Sequence, residues 1–171
     1  MYSDTVYLYK KGEFKPHLVI NVGNKRITPN ARTQFDGQYL ARNYISPLKL
    51  FEFGDYVYYE FIYKFDFSNT EIYSFIGSVN NDFQIIFNTG QGIINDIDGG
   101  PNIRPKTTGD DNTIIAFIDA LQMKKYVASD EFKNFTPKFP EKKKELEKLA
   151  SRLKETDNPV LVMVLLKDNP V

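Results

Sequence analysis

The sequence predicts a mainly β, antiparallel fold, on three observations. Its aromatic residues are 11 Tyr and 14 Phe with no Trp, types that suit a pleated, half-buried surface. Short runs rich in Val, Ile, Tyr and Phe recur between turn residues from Tyr44 to Asn88. One segment alone, Pro140 to Lys154, carries a full set of helix signals. With 171 residues and 42% hydrophobic content, residues 1–171 have the size and apolar material of a single domain with its own core.

In chain order, Thr5 to Tyr9 and Phe14 to Val22 are two β-rich runs joined by a polar turn containing Gly12, a hairpin pattern. Pro16 sits near the head of the second run, where its missing N–H harms a ladder least. Residues 24–43 are polar and irregular and read as a connection. Four strand-like runs follow, Ile45–Phe53, Tyr56–Phe65, Glu71–Ser78 and Phe83–Asn88. Gly54-Asp55, Ser68-Asn69-Thr70 and Asn80-Asn81-Asp82 punctuate them as turns. Four such runs fit one blade of a β-propeller, and equally a meander in a sandwich. Tyr56-Val57-Tyr58-Tyr59-Glu60-Phe61-Ile62-Tyr63 is aromatic on both faces, which predicts a strand covered on both sides.

Ile93 to Ile97 reads as a further short strand, ending in Asp98-Gly99-Gly100-Pro101. Thr113 to Val127 begins β-branched and ends in helix formers, so it predicts a strand running into a helical turn. The C-terminal helix has Pro140 at its first position, Glu141 in its first turn and Leu146, Leu149 and Leu153 as its apolar stripe. Asn158-Pro159 stops it, and Val160 to Leu166 is continuously apolar, the composition of a strand buried on both faces.

Three sets of residues carry a family likeness: Asp4-Thr5-Val6-Tyr7 with Pro16 and Val19-Ile20-Asn21-Val22-Gly23, then Asn95 to Pro101, then Glu155 to Val162. On these the chain resembles the C-terminal part of a bacterial six-bladed β-propeller family of uncharacterised proteins. The resemblance implies antiparallel propeller-like blades with one C-terminal helix before the last strand. Six blades of roughly 40 to 50 residues exceed this length, so it implies a partial propeller. An open stack leaves sheet faces bare, and self-association is the expected consequence. Export to the periplasm, cell surface or medium is likewise implied by the resemblance alone.

Lys plus Arg and Asp plus Glu each number 22, so no global field draws nucleic acid or an anionic membrane. No run approaches the roughly 20 apolar residues of a membrane span, and Met1-Tyr2-Ser3-Asp4 lacks the pattern of a signal peptide, so the chain as written is expected to be soluble. The absence of Cys removes thiolate chemistry, disulfides and Cys-ligated zinc. His17 is the single histidine, which excludes a His-pair metal site and leaves a Ser-His-Asp centre without local support.

Asn95, Asp96 and Asp98 before Gly99-Gly100 place oxygen side chains at the spacing that opens a calcium loop, with Asp110-Asp111-Asn112 as further donors. The bidentate Glu of such a loop is missing, and an Asx-type turn explains the same residues. Glu52, Asp55, Glu60, Asp66 and Glu71 supply carboxylates for a glycosidase pair. Tyr56, Tyr58, Tyr59 and Tyr63 are candidates for a ligand surface of stacking rings; alternation along a strand gives a core reading of the same residues. No catalytic residue is assigned. The leading expectation is a binding or interaction module for a glycan or protein; the alternatives are a polysaccharide-acting enzyme domain and a structural piece of a larger ring.

Overall fold

The computed structural model describes residues 4–110 and 112–166; Met1 to Ser3 and Asp111 lie outside the described residues. Its architecture is three antiparallel sheets of two, four and three strands, with short helices between them.

The hairpin pairs β1 (Thr5–Lys10) with β2 (Glu13–Val19). Lys11 and Gly12 both have positive φ, as the two-residue turn that matches strand twist requires. The register slips between Val6 and Tyr7, so Tyr7 faces Pro16, Val6 faces Leu18, and His17 is the extra residue of a bulge.

Residues 24–43, expected to be an irregular connection, instead hold two short helices, α1 (Pro29–Gln34) and α2 (Gly37–Asn43). Each starts on a side-chain cap: Thr28 Oγ1 accepts from Ala31 N–H at 3.1 Å and Asp36 Oδ1 from Tyr39 N–H at 2.7 Å. At six and seven residues they are too short to show an apolar period, and the caps, with Pro29 at the first position of α1, are their sequence signal.

The four-stranded sheet is the expected meander, β3 (Ser46–Phe53), β4 (Tyr56–Ile62), β5 (Ile72–Ser78) and β6 (Gln84–Asn88) in sequential order. Gly54, at φ 53°, makes the turn into β4. A Cβ there would meet Asn112 Oδ1 at 2.9 Å, so space as well as backbone conformation selects glycine. As predicted, β4 is covered on both faces, with Val57, Tyr58, Tyr59 and Phe61 all buried.

Ile93 to Ile97 forms no strand. Ile93 makes an isolated bridge to Ile103, and the carbonyls of Asp96 and Ile97 accept instead from Lys138 N–H and Phe139 N–H at 2.8 and 3.0 Å. The third sheet orders β7 (Thr107–Thr108), β8 (Thr113–Ile118) and β9 (Val160–Leu165). Strand β8 runs, as its composition predicts, into helix α3 (Ala120–Ala128), capped by Asp119. Helix α4 (Asp130–Asn134), not anticipated, is capped by Ser129.

Helix α5 (Pro140–Arg152) forms where expected, but its buried residue is Ala150, with Leu146 and Leu153 beside it, while Leu149 is 40% exposed. The helix approaches α3 closely, and a small residue takes the contact. Strand β9 also departs from expectation: Val160, Val162 and Val164 are half-buried, whereas Leu161, Met163 and Leu165 face outward. The sheet has helices and the four-stranded sheet on one face only.

Two clusters bind these layers. Phe53, Tyr58, Ile76 and Ile114 join the second and third sheets, with Phe51, Val164 and Leu166 packed around them. Ile118, Met123 and Ala150 join the third sheet to α3 and α5. Met123 is 1% exposed, so Met123→Ala is expected to cost about 2–4 kcal/mol in urea unfolding, while Leu149→Ala stays within about 0.5 kcal/mol. Equal losses would restore the leucine stripe as the packing face.

Candidate functional site

The two faces of β4 have different fates. On the face toward the third sheet, Tyr58 is fully buried, and its hydroxyl meets Glu60 Oε2 at 2.8 Å and Ser74 Oγ at 2.7 Å. Ser74 Oγ continues to Thr89 Oγ1 at 2.7 Å, and Lys49 Nζ lies 3.6 Å from Glu60. This chain satisfies polar groups that would otherwise destabilise the layer contact.

On the opposite face, Val57, Tyr59 and Phe61 align with Gly77, Phe75 and Tyr73 of β5, and Phe75 aligns with Ile86 of β6. Tyr59 and Phe61 stack at 5.4 Å. Over this apolar floor runs the chain leaving the hairpin, Leu18 to Val22, held by Ile20 N–H to the Asp4 carbonyl at 2.7 Å and by the Arg26–Asp4 ion pair. His17 Nε2, in the β2 bulge, reaches Glu52 Oε2 on β3 at 2.7 Å and ties the hairpin to the sheet a second time. Between the segment and the floor lies a half-open groove of about 510 Å³, with Asn21, Ser78 and Gln84 as its polar side chains.

The four tyrosines singled out by sequence therefore separate. Tyr59 lines the groove. Tyr58 is in the interlayer core, and Tyr56 is half-buried beside it, 5.7 Å from Phe53. Tyr63 stands beyond the end of β4, with Lys25 Nζ and Lys64 Nζ each 5.5 Å from its ring centre. Leu18, Ile20, Phe61, Phe75 and Ile86 complete the groove and were not anticipated. The available signal was Ile85-Ile86, two adjacent apolar residues on an otherwise open strand.

The carboxylates do not converge. Glu52 aligns with Val57 and Glu60 with Lys49, so strand alternation points them to opposite faces. Asp66 accepts from Ser68 N–H at 2.9 Å and Ser68 Oγ at 2.8 Å, bonds that hold its carboxyl below the usual range.

Asn95, Asp96 and Asp98 lie in one loop but face different partners. Asn95 Nδ2 donates to Asp98 Oδ1 at 2.7 Å, Gly100 N–H donates to the same oxygen at 2.8 Å, and Asp96 Oδ2 pairs with Lys138 Nζ at 2.8 Å. Gly99 supplies the positive φ of 73° that this turn needs. Asp110 is bonded to the Thr113 side chain, which lowers its carboxyl, and Asp111 lies outside the described residues. Among the described residues no group of three or more His, Asp or Glu is placed to hold a metal ion.

Burial raises the Tyr58 phenol well above its ordinary value of 10.0; the Ser74 bond opposes this and Glu60 adds to it. Burial raises Tyr59 as well. The unfolded chain ionises these phenols first, so stability present at neutral pH is lost as pH rises above about 10. Tyr58→Phe is expected to cost about 1–2 kcal/mol at pH 7 and to flatten that alkaline loss, as read by urea unfolding at about pH 7 and pH 10.5. An unchanged alkaline slope would place the titration elsewhere.

No helix among the described residues is long and apolar enough to cross a membrane. Residues 1–165 match the family described as a domain of unknown function, DUF4934, and the chain belongs to it. No curated protein and no solved structure matches the chain.

Proposed function

We propose that this member of the DUF4934 family is a non-catalytic binding module of propeller-like stacked sheets, whose groove between the hairpin exit and the four-stranded sheet holds an apolar or aromatic group of its ligand. One observation carries the reading: a concave apolar floor of Val57, Tyr59, Phe61, Phe75 and Ile86, faced across open space by Leu18 and Ile20. Its volume, about 510 Å³, lies within the roughly 300–1,000 Å³ usual for ligand sites, and three polar side chains among apolar walls are the usual means of fixing orientation.

The stacking of two-, four- and three-stranded antiparallel sheets supports the partial-propeller reading, since a propeller is a succession of four-stranded meanders packed face to face. The floor is made of side chains that bury carbon rather than present hydroxyl-reading groups. That chemistry favours a protein side chain or an apolar small molecule over an oligosaccharide. A hydrolytic role finds no support in carboxylates that point to opposite faces of one sheet.

The test uses a fluorescent apolar anion, anilinonaphthalene sulfonate, as the probe. Ile86, 63% exposed on the groove floor, accepts a charge without disturbing the core. Saturable binding by the wild type, weakened at least about tenfold by Ile86→Glu and unaffected by Ile94→Glu at an exposed site outside the groove, is the expected pattern. Equal binding by all three proteins would remove the groove as the site.

A further inference from the structure

We infer that the open edge of β6 is a docking site for an extended peptide, which adds to the four-stranded sheet as a further strand and leans a side chain into the groove. The inference rests on the groove as a binding site and deepens that reading by naming the class of ligand.

Strand order leaves β6 with β5 on one side and, among the described residues, no strand on the other. Bonds from Ser78 N–H to the Phe83 carbonyl at 2.9 Å and from Thr89 N–H to the Ile72 carbonyl at 2.8 Å set the alternation of this pairing. Phe83, Ile85 and Phe87 therefore turn their main-chain groups toward β5. Gln84 and Ile86 turn theirs to the open side, where no group among the described residues bonds to them. Both residues are exposed, Ile86 at 63%. An N–H and a carbonyl at every second residue are what an added strand pairs with.

Exposed edges are ordinarily guarded by charge, proline or a bulge. At the opposite edge of the same sheet β3 carries all three: Pro47 without an N–H, a register shift between Pro47 and Lys49, and the charges of Lys49 and Glu52. In the hairpin, β2 is guarded likewise by Pro16, its bulge, Glu13 and Lys15. Strand β6, Gln-Ile-Ile-Phe-Asn, pairs without a register shift and has no guard of any kind. Strand β9 also lacks charge, but its outward-turned residues, Leu161, Met163 and Leu165, set their side chains on the flat outer face. In β6 the residues with open main chain are the ones that line the groove.

That coincidence selects the occupant. An apolar small molecule fills the groove and leaves the N–H and carbonyl of Gln84 and Ile86 unused, whereas a peptide uses both. An added strand lies roughly 4.8 Å beyond β6, with its residue opposite Ile86 on the groove face. An aromatic or long aliphatic side chain there leans across Ile86 toward Phe75. The next residue of the peptide falls on the other face beside Ile85, which is 46% exposed. The ligand is therefore an uncharged extended segment with β-branched and aromatic residues in both parities. A second copy paired through its own β6 would bring only Gln84 and Ile86 to the groove face, a polar amide and a short branched chain, and would leave the apolar floor uncovered.

Random linear peptides of about seven residues, displayed on phage and selected on the intact chain, supply the probe. The expected peptides are uncharged, are rich in Val, Ile, Thr, Phe and Tyr, and displace anilinonaphthalene sulfonate when made synthetically. N-methylation of alternate residues along the pairing edge of such a peptide should weaken it at least about tenfold, a readout that needs no protein variant. Gln84→Pro removes one outward N–H where the ladder to β5 uses none, and with unchanged circular dichroism it should weaken the peptide by a similar factor. Bound peptide should slow amide exchange at Gln84 and Ile86 and leave Ile85, already bonded to β5, as it was. Binding indifferent to N-methylation or to Gln84→Pro, a peptide that leaves the dye in place, or unchanged exchange at Gln84 and Ile86 would each overturn the inference. A chain that binds the dye in its groove but selects no peptide removes this inference alone; dye binding that ignores Ile86→Glu removes the groove and this inference with it.

Discussion

The structure depends on the two-sided burial of β4. A strand in the middle of a three-layer stack must satisfy its polar atoms without water and fill space above and below at once. Tyr58 meets both demands, because its ring packs at 4.7 Å on Phe51 within the layer contact and its hydroxyl ends in the Ser74, Thr89 and Glu60 chain. Phe53, Ile76 and Ile114 then close around the ring. Without that hydroxyl network the four-stranded sheet would carry buried polar atoms exactly where the third sheet docks, and among the described residues no buried side-chain polar atom lacks a partner.

From this constraint the two open surfaces follow. The face of β4 turned away from Tyr58 is equally apolar, yet the hairpin that crosses it is only two strands wide and covers part of it. The uncovered remainder is the groove. On the other side, the third sheet spends one row of side chains on the four-stranded sheet and the helices, and its second row has no layer beyond it. Both surfaces arise because a stack of sheets always ends in a face, and an apolar face of that kind is a common mark of an interaction site.

Much of this was legible in sequence, and the parts that were not have physical reasons. The meander from Ser46 to Asn88 could be read because its turns carry Gly, Asn and Asp at the required places, and the two-sided cover of β4 could be read from aromatic residues in both parities. Helices α1 and α2 escaped because caps, and Pro29 at the start of α1, are weak signals without an apolar period. Ile93 to Ile97 has strand composition, but its carbonyls found Lys138 and Phe139 before they found a strand. The tyrosine surface was legible only as a list: parity along β4 sends Tyr58 inward and Tyr59 to the groove, while the partners that complete the groove come from Leu18 and Ile86, far apart in the chain. Burial of β9 on both faces was read from composition, and the structure buries only one of its two rows.

The groove and the outer patch differ in shape and in chemistry. The groove is concave, is crossed by a segment tied down through the Asp4 carbonyl and the His17–Glu52 contact, and has amide and hydroxyl groups among its walls. Such a shape holds an inserted group and fixes its orientation. The outer patch is a sheet face whose exposed row on β8 and β9 is Phe117, Leu161, Met163 and Leu165, with Thr107 of β7 beside Ile115 on the same face. The groove thus lies on the side of β4 that carries the hairpin, and the open apolar row on the side that carries β9.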